Sequence, residues 1–159
     1  MELTYDGIVN WMKEYFQAYD KYAQDPATKE RMHDYYAPDL IMFDYIAGVK
    51  KLTSRDEFLR LMSSHPSSHE TLIPEDIVVD EKRKVVVVLA KTEITDLKIN
   101  KVVVEARYLV HYQLMLDEGN KLKIQRIVLF TEVLPPGTLD VGDVFMRDPE
   151  MADLFVKPS

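Results

Sequence analysis

Tyr19-Asp20 sets a phenol beside a carboxylate near the end of the first helical stretch, among periodic residues that are otherwise apolar. Tyr45 follows Asp44 on the first strand, and His69 opens the next one. Gathered in one pocket, Tyr19, Asp20, Tyr45 and His69 would supply two neutral donors, one base and one orienting anion. Phenols ordinarily titrate near pH 10 and imidazole near 6.5, so at neutral pH the first donate hydrogen bonds and the second exchanges protons. Such a set suits removal of a proton next to a carbonyl.

The elements that must position these residues follow from periodicity. Over residues 5–24 the apolar side chains Tyr5, Ile8, Val9, Met12, Tyr15, Phe16, Tyr19 and Ala23 repeat at helical spacing. Asp20 comes four residues after Phe16 and so borders that stripe. Asp25-Pro26 reads as the start of a second helix that ends before Pro38. Residues 40–46 form a short apolar strand with Gly48 at its turn, and Ser54-x-x-Glu57 is a capping box opening a third helix that stops before Pro66. The pattern then switches to period two, predicting strands at 70–79, 84–95, 102–116 and 122–133 with short polar connections. Pro74 places the first of these at an edge or a bulge. The run 85–89 reads as a central strand buried on both faces. Ile127 and Leu129, on one face of the last strand, hint at a subunit contact. The expected class is α+β: one curved antiparallel sheet wrapped over three helices.

The bulk composition bounds the function. A chain of 159 residues with 47% hydrophobic content suits one domain spanning 1–159, with 135–159 as a C-terminal tail or lid. No stretch of about eighteen apolar residues occurs, and the N-terminus shows neither a basic start nor an apolar run, so a cytoplasmic location is expected. Zero cysteines exclude disulfides, thiolate metal sites and a cysteine nucleophile. A net charge of −7 disfavours nucleic acid, which needs a basic face. His65-x-x-x-His69 has the spacing of paired helical metal ligands, but Pro66 lies between them. No glycine-rich phosphate loop and no G-x-S-x-G elbow is present. A small, uncharged or weakly acidic ring compound is the natural ligand, with methionines such as Met42, Met115 and Met146 offering a soft wall.

The order helix, helix, strand, helix and four long strands resembles the cone-shaped α+β barrel of the nuclear transport factor 2 superfamily. That resemblance implies a deep apolar pocket and a homodimer or homotrimer. Within the superfamily, Glu14-Tyr15-Phe16-Gln17-Ala18-Tyr19-Asp20, Ala37-Pro38-Asp39-Leu40 with Asp44-Tyr45, His69, and Leu139-Asp140-Val141-Gly142-Asp143-Val144-Phe145 resemble the scytalone dehydratase family of polyketide metabolism. The resemblance implies a dehydratase needing no metal or organic cofactor. Tyr19 and Tyr45 would hold a water that polarises the substrate carbonyl. His69 would take the neighbouring proton and return one to the departing hydroxyl, and Asp20 would orient the imidazole. Tyr15, Asp44, His111 and Phe145 would contact the substrate.

The sequence also departs from that family. Its second catalytic histidine falls, by an ungapped count, on Ile94, with Glu93 and Asp96 alongside, and its serine and asparagine fall near Arg107 and Leu109. His111 is a candidate replacement. However, strand alternation groups it with Glu105, Arg107 and Gln113, opposite an apolar face made by Val104, Ala106, Tyr108, Val110, Tyr112 and Leu114. Tyr15-Phe16 with Asp20, and the tail Phe145-Met146-Arg147-Asp148-Pro149, resemble bile acid dehydratases. A steroid isomerase pattern would instead make Asp44 the proton shuttle and a first-helix tyrosine the oxyanion donor. Dehydratase, isomerase or cyclase, and a module that only binds a ligand or oligomerises, all remain open at this point.

Overall fold

The structure, a computed structural model, describes residues 3–45, 48–146 and 153–155. Helix α1 (Tyr5–Ala18) starts at Thr4, whose hydroxyl accepts from the Gly7 N–H at 3.1 Å and caps the first turn. Its buried stripe holds Ile8, Trp11, Met12, Tyr15 and Phe16. The helix then widens into a π-helical turn, Tyr19–Ala23. In place of the expected second helix, Asp25 turns the chain by accepting from the Ala27 N–H at 2.9 Å, and a short 3-10 helix, Lys29–Asp34, follows. Met32 is its one buried side chain, so this segment lacks the apolar stripe that would stabilise a longer helix.

Strand β1 (Tyr36–Asp44) begins four residues earlier than the sequence predicts and runs through Pro38. The sheet order β1-β5-β4-β3-β2 puts β1 at an edge, and its register shifts between Tyr36 and Ile41, so the missing N–H is tolerated. Ile46, in the expected strand, lies outside the described residues. Helix α2 (Arg55–Ser63) opens as foreseen: Ser54 Oγ accepts from the Glu57 N–H at 3.1 Å, and the Glu57 carboxylate accepts from the Thr53 N–H at 3.1 Å.

Strands β2 (Ser68–Asp80), β3 (Val85–Asp96), β4 (Lys101–Leu116) and β5 (Leu122–Thr131) form an antiparallel meander, each end within two residues of its expected place. Pro74 lies on edge strand β2 beside a register shift between Pro74 and Asp76. One feature corrects the expectation of a wholly antiparallel sheet: β1 pairs with β5 in parallel. Helix α2 lies between β1 and β2, which occupy opposite edges, so β1 is not bound by hairpin geometry.

The sheet curves over the N-terminal helices, and one face carries the core. On β4 that face is Val104, Ala106, Tyr108, Val110, Tyr112 and Leu114, each buried, while Glu105, Arg107 and Leu109 alternate outward. The run 85–89 is fully covered on one face and only partly on the other: Val86 and Val88 are buried inward, whereas on the outer side Val85 is buried, Val87 half-buried and Leu89 exposed. Ile127 and Leu129 also face inward, lining the interior cavity rather than a subunit contact. A short helix, α3 (Val141–Met146), buries Val141, Val144 and Phe145. Among the described residues no helix is long and apolar enough to cross a membrane.

Candidate active site

Between the concave sheet face and the helices lies a cavity of about 50 Å³, enough for ordered water without any rearrangement. Tyr15 and Tyr19 enter from α1 and the π-turn, Met42 and Asp44 from β1, and Phe58, Leu61 and Met62 from α2. Glu70 and Leu72 enter from β2, Tyr108, Val110 and Tyr112 from β4, and Val141 and Phe145 of α3 complete the wall. The lining is apolar apart from phenols and two carboxylates, Asp44 and Glu70.

Glu70 is the chemical centre of this cavity. It is only 4% exposed, yet both carboxylate oxygens are bonded: Tyr19 Oη donates to Oε1 at 2.7 Å, and Tyr108 Oη donates to Oε2 at 2.9 Å. A buried carboxylate is costly unless hydrogen-bonded, and these two donors meet that need. Met62 Sδ also lies 2.7 Å from Tyr19 Oη. A carboxylate is a far better acceptor than a thioether, so the Tyr19 hydroxyl directs its hydrogen at Glu70 rather than at the sulfur. Burial, and then the negative charge of Glu70, push the Tyr19 and Tyr108 phenols well above their ordinary range. Both therefore remain protonated donors at neutral pH. Behind them Tyr15 and Tyr36 share a hydrogen bond of 2.7 Å. Burial is the main cause that raises both of these phenols too.

The structure does not gather Tyr19, Asp20, Tyr45 and His69 into one pocket. Tyr19 lies inside, as do Tyr15, Asp44 and Phe145. Asp20 and His69 meet each other, Oδ1 to Nε2 at 3.0 Å, but in an outer groove with Gln24, His65 and Ser68. Tyr45 is 62% exposed and stacks between Phe43 and Phe130 on the outer sheet face. His111 is on that face as well, opposite Val87 and Val128, where burial lowers its imidazole below the ordinary range.

Parity explains the division. Along β2 the buried positions are Ser68 and Glu70, which turns His69 the other way, and in the second half of β1 they are Leu40 and Met42, with Asp44 inward and Tyr45 outward. On the helix Tyr19 continues the Tyr15 stripe, while Asp20 is one residue round from it. The same parity turns Arg107 and Leu109 outward and Tyr108 inward. Glu70 and Tyr108 were missed by sequence reasoning, although the signal existed: Tyr108 belongs to the apolar set on β4, and Glu70 directly follows His69. Glu70 also pairs across the sheet with Ile94, where the second family histidine was counted. Glu70 is thus the buried carboxylate beside Ile94, while Glu93 pairs with Lys91 at 2.8 Å.

His65 has a different character. It is 4% exposed, its Nδ1 lies 3.2 Å from the Ser68 carbonyl oxygen, its Nε2 has no hydrogen-bond partner among the described residues, and its ring packs on Phe145 at 4.7 Å between centroids. Burial lowers its imidazole below the ordinary range, against the opposing pull of the Ser68 carbonyl and the Glu70 charge. Among the described residues no three histidine or carboxylate side chains are grouped to hold a metal ion. The tail residues Arg147, Asp148 and Pro149 lie outside the described residues.

Solved structures share this fold. A function-unknown protein from Mycobacterium tuberculosis superposes with a TM-score of 0.64 at 12% identity, covering 96% of this chain and 98% of that one. A nuclear transport factor 2-like protein of unknown function from Silicibacter pomeroyi DSS-3 gives 0.54 at 10% identity, covering 81% and 99%. The fold is nuclear transport factor 2-like. A putative SnoaL-like polyketide cyclase from Jannaschia sp. CCS1 shares it, with a TM-score of 0.51 at 11% identity over 75% of this chain and 83% of that one. No family model and no curated protein matches the sequence. At these identities the nuclear transport factor 2-like cone is what the proteins have in common, and the chemistry must be argued from the cavity.

Proposed function

We propose that this protein is a cofactor-independent dehydratase that removes water from a small cyclic β-hydroxy ketone, for which the cavity of about 50 Å³ must widen on binding. The observation that carries the reading is Glu70, a buried carboxylate held by two phenols and facing an apolar cavity. In this scheme Glu70 takes the proton next to the carbonyl, and the C–H electron pair forms an enolate. Tyr15, backed by Tyr36, donates to the enolate oxygen, the kind of prepositioned donor that stabilises developing charge. The enolate then collapses, the C–O bond to the β-hydroxyl breaks, and protonated Glu70 returns its proton to the departing oxygen as water leaves. The step breaks one C–H and one C–O bond and yields an enone and water. Tyr19 and Tyr108 hold the carboxylate throughout. The putative SnoaL-like polyketide cyclase that shares the fold is in keeping with a ring-shaped, polyketide-like substrate here.

A specific observation favours isomerisation as the second reading: Asp44, on the strand facing Glu70 across the cavity, is a second carboxylate on the same wall system. A proton moved between two ring carbons through one carboxylate would leave the mass unchanged. For assembly, the outward row Leu89, Leu109, Phe130 and Tyr45 supports a homodimer or homotrimer through the outer sheet face.

The test is to incubate the purified protein with scytalone and with simpler cyclic 3-hydroxy ketones, following absorbance and product mass. Loss of 18 mass units (one water) that drops at least about a hundredfold in Glu70→Gln, and persists in Tyr45→Ala, supports the reading. Conserved mass selects isomerisation. Turnover that survives Glu70→Gln and collapses in His69→Ala would move the chemistry to the outer groove and sink the scheme.

A further inference from the structure

One short segment, residues 19–24, takes hold of Glu70 and its neighbour at four polar points. Tyr19 bonds the Glu70 carboxylate. Gln24 bonds the Glu70 main chain twice: the Glu70 N–H donates to Gln24 Oε1 at 2.7 Å, and Gln24 Nε2 donates to the Glu70 carbonyl oxygen at 2.5 Å. Asp20 meets His69 at 3.0 Å.

The arrangement solves a problem set by topology. β2 is an edge strand, so among the described residues the main-chain groups on its open side have no neighbouring strand. The Gln24 carboxamide has the shape and polarity of a peptide group. It pairs with both main-chain groups of one residue, as an antiparallel neighbour would. Tyr19 and Gln24 can address the same residue only because of the π-turn between them. In an α-helix residue i+5 stands about 140° round from residue i. The i→i+5 bonding of a π-helix winds more residues into the turn and brings residue i+5 closer to the face of residue i. Such turns are rare, and here the cost of the wider winding is offset by contacts made at a single strand position.

We propose that Gln24 is a positioning residue: through the π-turn it sets where the Glu70 carboxylate stands in the cavity, with the Asp20–His69 pair as an outer brace. A strand side chain moves with its own peptide units, so freeing the Glu70 main chain shifts the carboxylate against Tyr19 and Tyr108. A misplacement of about 1 Å can cost about a hundredfold in rate. The kinetic consequence rests on Glu70 acting as the base; the structural one does not.

The experiment compares full-length wild type with Gln24→Ala, Gln24→Glu and Lys21→Ala. Lys21 belongs to the same turn, but its ammonium lies over the Tyr22 ring. NMR reads exchange of the Glu70 amide and the hydroxyl protons of Tyr19 and Tyr108, and kinetics separate kcat from KM. In Gln24→Ala the Glu70 amide should exchange at least about tenfold faster. Both phenol signals should move, and kcat should fall about ten- to a hundredfold with KM within about twofold. Gln24→Glu keeps the acceptor and loses the donor, so it should fall between, and it carries the test if Gln24→Ala does not fold. Lys21→Ala should match wild type. Unmoved phenol signals in Gln24→Ala or Gln24→Glu overturn the proposal, because the amide then merely covers an edge. Moved signals in a protein that turns over no hydroxy ketone leave positioning intact and refute the reaction.

Discussion

If Tyr19 is held in place by the Glu70 carboxylate, its hydroxyl should matter only while that carboxylate is present. Tyr19→Phe removes a 2.7 Å bond to a nearly fully buried anion and keeps the ring volume. A hydrogen bond to a charged group contributes about 1.5–3 kcal/mol net, and Oε1 would be left with no donor, so a loss of about 2 kcal/mol is expected. At 159 residues that corresponds to a melting temperature lower by roughly 4–8 °C. In a Glu70→Gln background the anion is gone, and the same Tyr19→Phe change should cost about 0.5–1 kcal/mol. The assay is a double-mutant cycle by urea denaturation with wild type, both single variants and the double variant. A coupling of at least about 1 kcal/mol is expected. A coupling below about 0.4 kcal/mol, within ordinary additivity, would show that Tyr19 is packing filler with its hydroxyl on Met62, and the site argument would fail.

His65 should confer a pH dependence of known sign. Its folded-state pKa is depressed by burial, so as pH falls below about 6.5 the unfolded chain takes up the proton first. The contribution is therefore full above that value and is lost as pH falls through the folded one. Denaturation at several pH values should show wild type losing stability on acidification faster than His65→Gln; parallel curves would refute it. Ser54→Ala should cost about 1 kcal/mol and Ser54→Gly only a few tenths, because the cap matters more than the side-chain volume. Equal losses in the two variants would mean the α2 cap contributes nothing. Phe145→Ala should cost about 3 kcal/mol and raise KM for a ring substrate, since Phe145 both walls the cavity and packs on His65. An unchanged KM would place α3 outside the binding step.

The sequence alone determined most of the frame. Period-two alternation located β2 to β5, the capping box located α2, and the apolar stripe located α1, because these patterns are local and each is read over a few neighbouring residues. Alternation also separates the two faces of β4, with His111 opposite Tyr108 and Tyr112, although the resemblance still counted His111 among the substrate contacts. Where local signals were weak the reading slipped: the segment after Asp25 became a 3-10 turn for want of a buried stripe, and β1 started early because an edge position tolerates Pro38.

Tertiary structure decided the site. One-residue parity on β1 and β2 sends Asp44 and Glu70 inward and Tyr45 and His69 outward, and a resemblance built from adjacent residues, Asp44-Tyr45 or His69-Glu70, cannot choose between them. The inside of a strand becomes defined only when helices cover one face of the sheet. The π-turn, invisible in a helical period, then brings Tyr19 and Gln24 to bear on the same strand residue. A phenol, an amide and a carboxylate separated by up to 51 positions in the chain thus meet at one point. The types of chemistry were legible from the residues, but which carboxylate could perform it depended on burial, and burial belongs to the packed fold rather than to any local stretch of chain.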